Sequence, residues 1–494
     1  MKKPNLLYVF PDQFRLMSLS IWQDAQYQAY LPGVGDPVST PHLDAFIRQS
    51  TLLSNAVSNC PVCSPHRGSL MTGQFPSRSG VPLNCNSDRI HSELPETAFC
   101  FTNALSMAGY HVGYIGKWHL DVPTPNDPVN PGHYVDPNVP AWDSYTEPQR
   151  RHGIDYWYGY GTFDEHNNPH YYDTHGVRHE PKVWSAEHET DKAIEYLKNE
   201  HGERDPDKPF ALFMSMNPPH SPYDSLDDCR LEDWLRYKDT PVEELLLRNN
   251  ADTHIEKAHS AAYYFANVTG TDSEFGRLVN ELKALGEWEN TVVVFTSDHG
   301  ETLCSQGIND AKNCIYNEAF SVPFVIKGAQ SKQVKQHSVF LSSADIMPTV
   351  LGVMGLEQQC PNDIHGRNLS NAVFANTSAS LPSCALYIRN IDGYRDHNNK
   401  VVDYFPVSRG LKTQRYTLAL EVDTQGKLEH TLFFDNALDP YQLHNLSFNP
   451  DAPIERCLLR ALAEELVRTD DPWVAQRWLT ELLPYHLFSR NNHE

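Results

Sequence analysis

The residues of this chain best suited to chemistry sit in short polar segments, most of them just after an apolar run. Asp12-Gln13 and Asp298-His299 are two of these. Two carboxylates and an amide oxygen suit a hard divalent cation, although a single Asp after a strand is also an ordinary turn residue. Cys63-Ser64-Pro65-His66-Arg67 sets a thiol beside a proline and an arginine. Pro65 can open a helix with residue 63 at its N-terminus, where the dipole and free N–H groups favour an anion. Arg67 lies one turn on and can point back toward residue 63. Cys60 and Cys63 also form a C-x-x-C pair, the spacing of a redox couple or half a zinc site. No second such pair follows, and Pro65 and Arg67 argue for an anion site instead. Lys117 and His119 are two apart, so on an extended strand end they face one side. His220 lies in Asn217-Pro218-Pro219-His220-Ser221-Pro222 and brings an imidazole that titrates near neutrality.

These segments need a frame. Residues 6–11, 109–115, 210–216 and 291–296 are short apolar runs, the pattern of buried parallel strands. Thr40-Pro41 looks like an N-cap and first helical residue. Apolar residues at helical steps run from about 255 to 285, and Gly286 closes that helix. Strands alternating with long helices predict an α/β fold: a large, mostly parallel central sheet sandwiched by helices. In such sheets ligands bind beyond the carboxyl ends of the strands, so the polar segments could meet at one crevice. The alternation predicts a catalytic unit over residues 1–384, with residues 121–185 as a long ordered insertion of low periodicity. A smaller α+β unit is predicted over residues 385–494. Its cues are strand-like runs at 386–388 and 416–421 and an amphipathic helix over 453–467.

The segment from Cys63 through Arg67, followed by Gly68-Ser69-Leu70-Met71-Thr72-Gly73, resembles the signature of the type I sulfatases of the alkaline phosphatase superfamily. In that family the cysteine is oxidised to formylglycine by a dedicated maturation enzyme. Its hydrate attacks sulfur through one oxygen and expels sulfate through the other. The resemblance implies Asp12, Gln13, Asp298 and His299 as metal ligands. Gly116-Lys117-Trp118-His119-Leu120 is similar to the family segment whose Lys binds formylglycine and sulfate and whose His deprotonates the hemiacetal. His220 matches the general acid to the leaving alcohol, and Lys312, before Tyr316-Asn317-Glu318, matches a late sulfate-binding lysine. Arg67, Lys117, Lys312 and the cation would then meet the charge on the sulfate oxygens. Segments at 342–351, 409–420 and 432–446 continue the likeness, which spans about residues 4–446.

Gln13 and His299 depart from the commonest family pattern, in which Asp and Asn stand. The change removes one negative charge and adds an imidazole, which opens the site to manganese or another transition ion, with calcium still the first expectation. Related sulfatases and the phosphonate monoester hydrolases also use such a Gln and His, and a phosphonate or phosphate monoester hydrolase on the same fold is the nearest alternative. A catalytically inactive protein that binds anionic glycans is an alternative of another class.

Residues 121–185 carry Trp142, Trp157, Tyr158, Tyr160 and Trp184, aromatic faces that suit sugar rings but equally suit packing. His166, His170 and Arg178 could bond hydroxyls or a second anionic group. Asp155-Tyr156-Trp157 and Trp184–His188 look like segments of bacterial polysaccharide sulfatases, so a sulfated carbohydrate, an algal galactan or host glycan, is the expected substrate. A net charge of −23 argues against nucleic acid as a partner. No stretch approaches the length of a membrane span, and homo-oligomers are compatible with the composition. No export signal is recognised at the N-terminus. The expected location is cytoplasmic as given, or periplasmic if a signal has been removed.

Overall fold

In the computed structural model, the described residues are 3–86, 92–123, 142–309, 311–329, 335–374, 381–390, 394–395, 401–403, 407–423, 425–476 and 479. Residues 124–141 of the expected insertion lie outside them. Among the described residues, no helix is long and apolar enough to cross a membrane.

The main sheet has ten strands: β1 (Asn5–Val9), β2 (Thr51–Ala56), β3 (His111–Lys117), β4 (Tyr156–Tyr160), β5 (Tyr171–Asp173), β6 (Arg178–His179), β7 (Phe210–Ser215), β8 (Thr291–Phe295), β9 (Val325–Lys327) and β10 (Lys335–Leu341). Their order is β10-β2-β9-β8-β1-β7-β3-β4-β5-β6. β8, β1, β7, β3 and β4 are mutually parallel, so their carboxyl ends share one edge. The central strands bury both faces with period two. Leu7 and Val9 of β1 join one core with Phe265, Phe275 and Leu278 of the Ala261–Ala284 helix, and with Leu43 and Phe46 of α1 (Pro41–Ile47). Leu6 and Tyr8 join the other, with Leu70 and Met71 of α2 (Cys63–Thr72) and Val350 of the Ile346–Val353 helix. The sheet is covered on both sides, as the continuous apolar runs require.

The insertion departs from expectation. Much of it belongs to the main sheet: β4 pairs in parallel with β3, and β5 and β6 extend the edge antiparallel. Tyr156-Trp157-Tyr158-Gly159-Tyr160 is buried on both faces, so it shows no apolar–polar alternation for the eye to find. Trp157, Tyr158, Tyr160, Tyr171 and Trp184 are all buried. They pack the fold and do not face an incoming ring.

A second sheet, in the order β11-β14-β15-β16, is antiparallel and built from β11 (Cys384–Arg389), β14 (Val407–Thr413), β15 (Tyr416–Val422) and β16 (Leu428–Asp435). β12 (Tyr394–Arg395) and β13 (Val401–Asp403) form a separate ribbon. One face of the four-stranded sheet packs on the Pro453–Arg468 helix through Leu459, Leu462 and Leu466. From the other face, Ala385, Tyr387 and Ala419 pack against Val57, Ile315 and Phe320 of the larger unit.

Candidate active site

The segments that follow β1, β3, β7 and β8 converge with the start of α2 on Cys63. Asp12 leaves β1, Lys117 ends β3, His220 follows β7 and Asp298-His299 follow β8. α2 begins at Cys63, so Pro65 falls within its first turn. The Ser64 N–H is taken by Asn84 Oδ1 at 2.9 Å and so is not open to a ligand. Cys63 Sγ lies 3.3 Å from His299 Nε2, 3.7 Å from Asp12 Oδ1, 3.2 Å from Lys312 Nζ and 3.9 Å from His220 Nε2. This sulfur stands in for the oxygen that an oxidised residue 63 would carry. Burial alone raises the thiol's pKa, but Lys312, Lys117 and His299 hold it well below the ordinary value. The same field favours an ionised oxygen at that position.

Asp12, Cys63, Asp298 and His299 each offer a ligand atom, all within 4.8 Å of one another and all buried. Burial and the charge of Asp12 push the Asp298 carboxyl up, a penalty that a bound divalent cation would offset. His299 Nδ1 donates to the Gly300 carbonyl at 2.9 Å, which fixes the tautomer and leaves the Nε2 lone pair toward the cluster, as a metal ligand requires. Gln13 adopts φ +64. Its Nε2 donates to Glu301, which turns Oε1 inward to within 3.2 Å of Lys312 Nζ. Glu301 in turn accepts from Tyr223 Oη and Lys257 Nζ, each at 2.8 Å. The donor set fits a divalent ion.

Arg67 departs from its expected role. It is buried, and its guanidinium is spread over protein acceptors: Asp298 Oδ2, Asp12 Oδ2, the Lys117 carbonyl and Ser215 Oγ. It fixes the two carboxylates against each other and does not present a free N–H fork to an anion. Lys117 Nζ, fully buried, lies 2.8 Å from Asp12 Oδ2 and donates to Asn217 Oδ1 at 3.3 Å. Gly116 lets β3 approach β7 here, for a Cβ would stand 2.1 Å from the Ser215 carbonyl oxygen. His119 does not continue the strand but itself takes a left-handed conformation, φ +53. Its Nε2 lies 3.3 Å from the Cys85 carbonyl and its Nδ1, though buried, has no hydrogen-bond partner. Burial lowers its pKa, so the ring is held neutral and can accept a proton. That orphaned nitrogen also fits a further oxygen on residue 63.

His220 Nδ1 donates to the Ser221 carbonyl at 2.7 Å and lies 3.4 Å from Asp164 Oδ1, which leaves Nε2 facing the site. Lys312 Nζ is 2.8 Å from that Nε2. Cys60 is buried in reduced form, and its burial pushes the thiol up to about 12, against Arg409 and Arg389. A redox pair with Cys63 is therefore not supported.

The expected sugar contacts divide. The Trp142 ring lies 6.3 Å from that of His119, at the site. His166 is buried and its Nε2 lies 2.8 Å from the His220 carbonyl, so it supports that segment from behind. His170 is buried against Asp143 at 2.8 Å and packs edge-on against Phe163. Arg178 pairs with Glu180 at 3.0 Å on β6. These contacts tie His170 and Arg178 to the insertion, not to the cluster around Cys63. Asn217, Ser215, Asp164 and Glu301 were not assigned from sequence. Asn217 and Ser215 lie at the end of β7, Asp164 follows β4 and Glu301 follows β8, so the strand-end rule points toward all four, but it does not say which polar residues of those segments turn inward.

Comparison with known proteins agrees with this arrangement. The protein family described as Sulfatase matches residues 4–356. An endo-4-O-sulfatase of Bacteroides thetaiotaomicron is 49% identical over 484 residues, covering 98% of this chain and 95% of that protein. An ulvan-active sulfatase of Formosa agariphila is 32% identical over 470 residues, covering 91% of this chain and 78% of that protein. A solved structure described under metabolism of multiple glycosaminoglycans by Bacteroides thetaiotaomicron superimposes with a TM-score of 0.93 at 49% identity, covering 98% of this chain and 100% of that one.

Proposed function

Because the chain belongs to the sulfatase family, and so is a hydrolase of sulfate esters, we propose that it removes the 4-O-sulfate of a sugar within a sulfated polysaccharide. The relative that is 49% identical along nearly its whole length, an endo-4-O-sulfatase, supports this choice of linkage. The observation that carries the catalytic reading is the meeting at Cys63 Sγ of Asp12, His299, His220 and Lys312, all within 3.9 Å.

Asp12, Gln13, Asp298 and His299 would hold a divalent cation beside residue 63, and with that residue converted to formylglycine the two would supply a nucleophilic oxygen and a positive charge that favours its ionised form. Calcium is the proposed ion, because three of the four side chains offer hard oxygen donors. The chain's own groups do the rest. Arg67 holds the two carboxylates in register. Lys117 and Lys312 meet the negative charge of the ester oxygens, each worth about 3–4 kcal/mol in the transition state. His220, oriented by the Ser221 carbonyl, carries a proton on Nε2 to the leaving sugar oxygen. His119, neutral and buried, takes the proton whose loss releases sulfate.

The test combines mass spectrometry of the peptide around residue 63 with assays on oligosaccharides sulfated at O4 or O6, run beside a phosphonate diester. Conversion of Cys63, selective release from the O4 ester and a loss of about three orders of magnitude or more in Cys63→Ala, which leaves nothing to oxidise, are expected. A Cys63→Ala protein keeping about a tenth of the wild-type rate would overturn the catalytic reading; faster release from O6 would overturn the linkage.

A further inference from the structure

Lys312 reaches the site from a loop that is anchored by the small C-terminal sheet. Asn313, the next residue, takes φ +66, so the chain kinks where the lysine side chain turns inward. The Asn313 N–H donates to the carbonyl of Pro61, two residues before Cys63, at 3.0 Å. The Asn313 carbonyl accepts from Tyr387 Oη at 3.2 Å and from Arg389 Nη1 at 3.4 Å. Both donors stand on β11 and both are buried. Arg389 is itself held by Glu421 of β15 at 2.5 Å. The same strand grips the other catalytic loop: the Ile388 N–H donates to the Asn59 carbonyl at 2.7 Å, and Asn59 Nδ2 donates to the Leu386 carbonyl at 2.5 Å. One strand thus ties the loop that enters Cys63 to the loop that carries Lys312.

We propose that Tyr387 and Arg389 are positioning residues for Lys312: by holding the Asn313 carbonyl they set the kink that keeps Nζ within reach of residue 63 and His220. The proposal rests on the assignment of Lys312 to the ester-binding site. Neither side chain touches the cluster, and both act through one backbone oxygen. A lysine stem has several rotatable bonds, so the direction in which its Cα is presented decides where the ammonium spends its time. A displacement of about 1 Å at such a group costs about 100-fold in rate.

The experiment is a double-mutant cycle on protein whose residue 63 has been converted, with a sulfated oligosaccharide as substrate. Tyr387→Phe keeps the ring and its packing and removes only the donor; kcat is expected to fall about tenfold with KM less affected. In a Lys312→Ala background the same change is expected to add less than about twofold, because the group it positions is already gone. Arg389→Lys, which retains a donor, should keep more activity than Arg389→Met. Losses that multiply in the double variant, or full activity in Tyr387→Phe, overturn the proposal while leaving Lys312 in its role. Full activity in Lys312→Ala removes the assignment of Lys312 itself, and the proposal with it.

Discussion

Lys312 Nζ faces His220 Nε2 at 2.8 Å, and the two share a hydrogen bond once the histidine has given up its proton and accepts from the ammonium. Burial and the neighbouring lysines Lys117 and Lys312 disfavour the imidazolium; Asp12 and Asp164 favour it more, and the histidine is held up at about 9. The acid form of His220 therefore prevails below about 9 and is lost as pH rises through it. On sugar sulfates, kcat/KM should fall along an alkaline limb near this value, lower once a divalent cation adds its charge. His220→Ala should remove that limb and cost about 100-fold or more on a sugar sulfate, but far less on nitrophenyl sulfate, whose leaving group needs little protonation. Equal losses on both substrates would sink the role. His220 was legible as a candidate acid from its motif, and the fold places its Nε2 beside Cys63. The spending of the Arg67 guanidinium on two carboxylates was not, because its partners are 55 and 231 residues away.

The strand ends explain why so much of the site could be read one element at a time. Residues 6–11, 210–216 and 291–296 form β1, β7 and β8 to within a residue or two, and the polar segments begin where they stop. α1 shows where such reading fails. Thr40 precedes Pro41 as an N-cap should, yet its side chain makes no capping bond. The work is done by Asp272 of the Ala261–Ala284 helix, which accepts from the Leu43 N–H at 2.7 Å and the His42 N–H at 3.2 Å. Burial pushes Asp272 up to about 7, although the two N–H bonds pull it down. The folded state thus holds a proton, between the ordinary 3.8 and about 7, that the unfolded chain has released. This contribution to stability is complete below 3.8 and lost as pH rises through about 7. Asp272→Asn should flatten the slope of urea-unfolding stability over that window; an unchanged slope would rule out the assignment.

Across the whole molecule, a net charge of −23 surrounds a site lined by Lys117, Lys312 and the dipole end of α2. The global charge does not decide binding here, because buried groups a few ångströms away outweigh screened surface charges. The cation expected at Asp12, Gln13, Asp298 and His299 would join the loops after β1 and β8, segments far apart in sequence. A ligand of the folded state alone stabilises it by about 4 kcal/mol at a thousand times its dissociation constant. Chelation should therefore lower the melting temperature and abolish activity, and calcium should restore both. In Asp298→Asn the melting response should shrink; a wild-type protein whose melting ignores chelator would argue against the site.

The sequence alone determined the reaction class, the sheet's central strands and the residues around residue 63. Each of these is written in local patterns, in apolar runs, turn residues and a contiguous motif. Tertiary structure decided what those residues do to one another. It turned Arg67 into a brace, buried His166 and His170 as supports, and drew the aromatic insertion into the sheet edge. It also brought β11 against the loop that carries Lys312. Those outcomes depend on which distant groups desolvate and pair with each other, and no spacing along the chain encodes that.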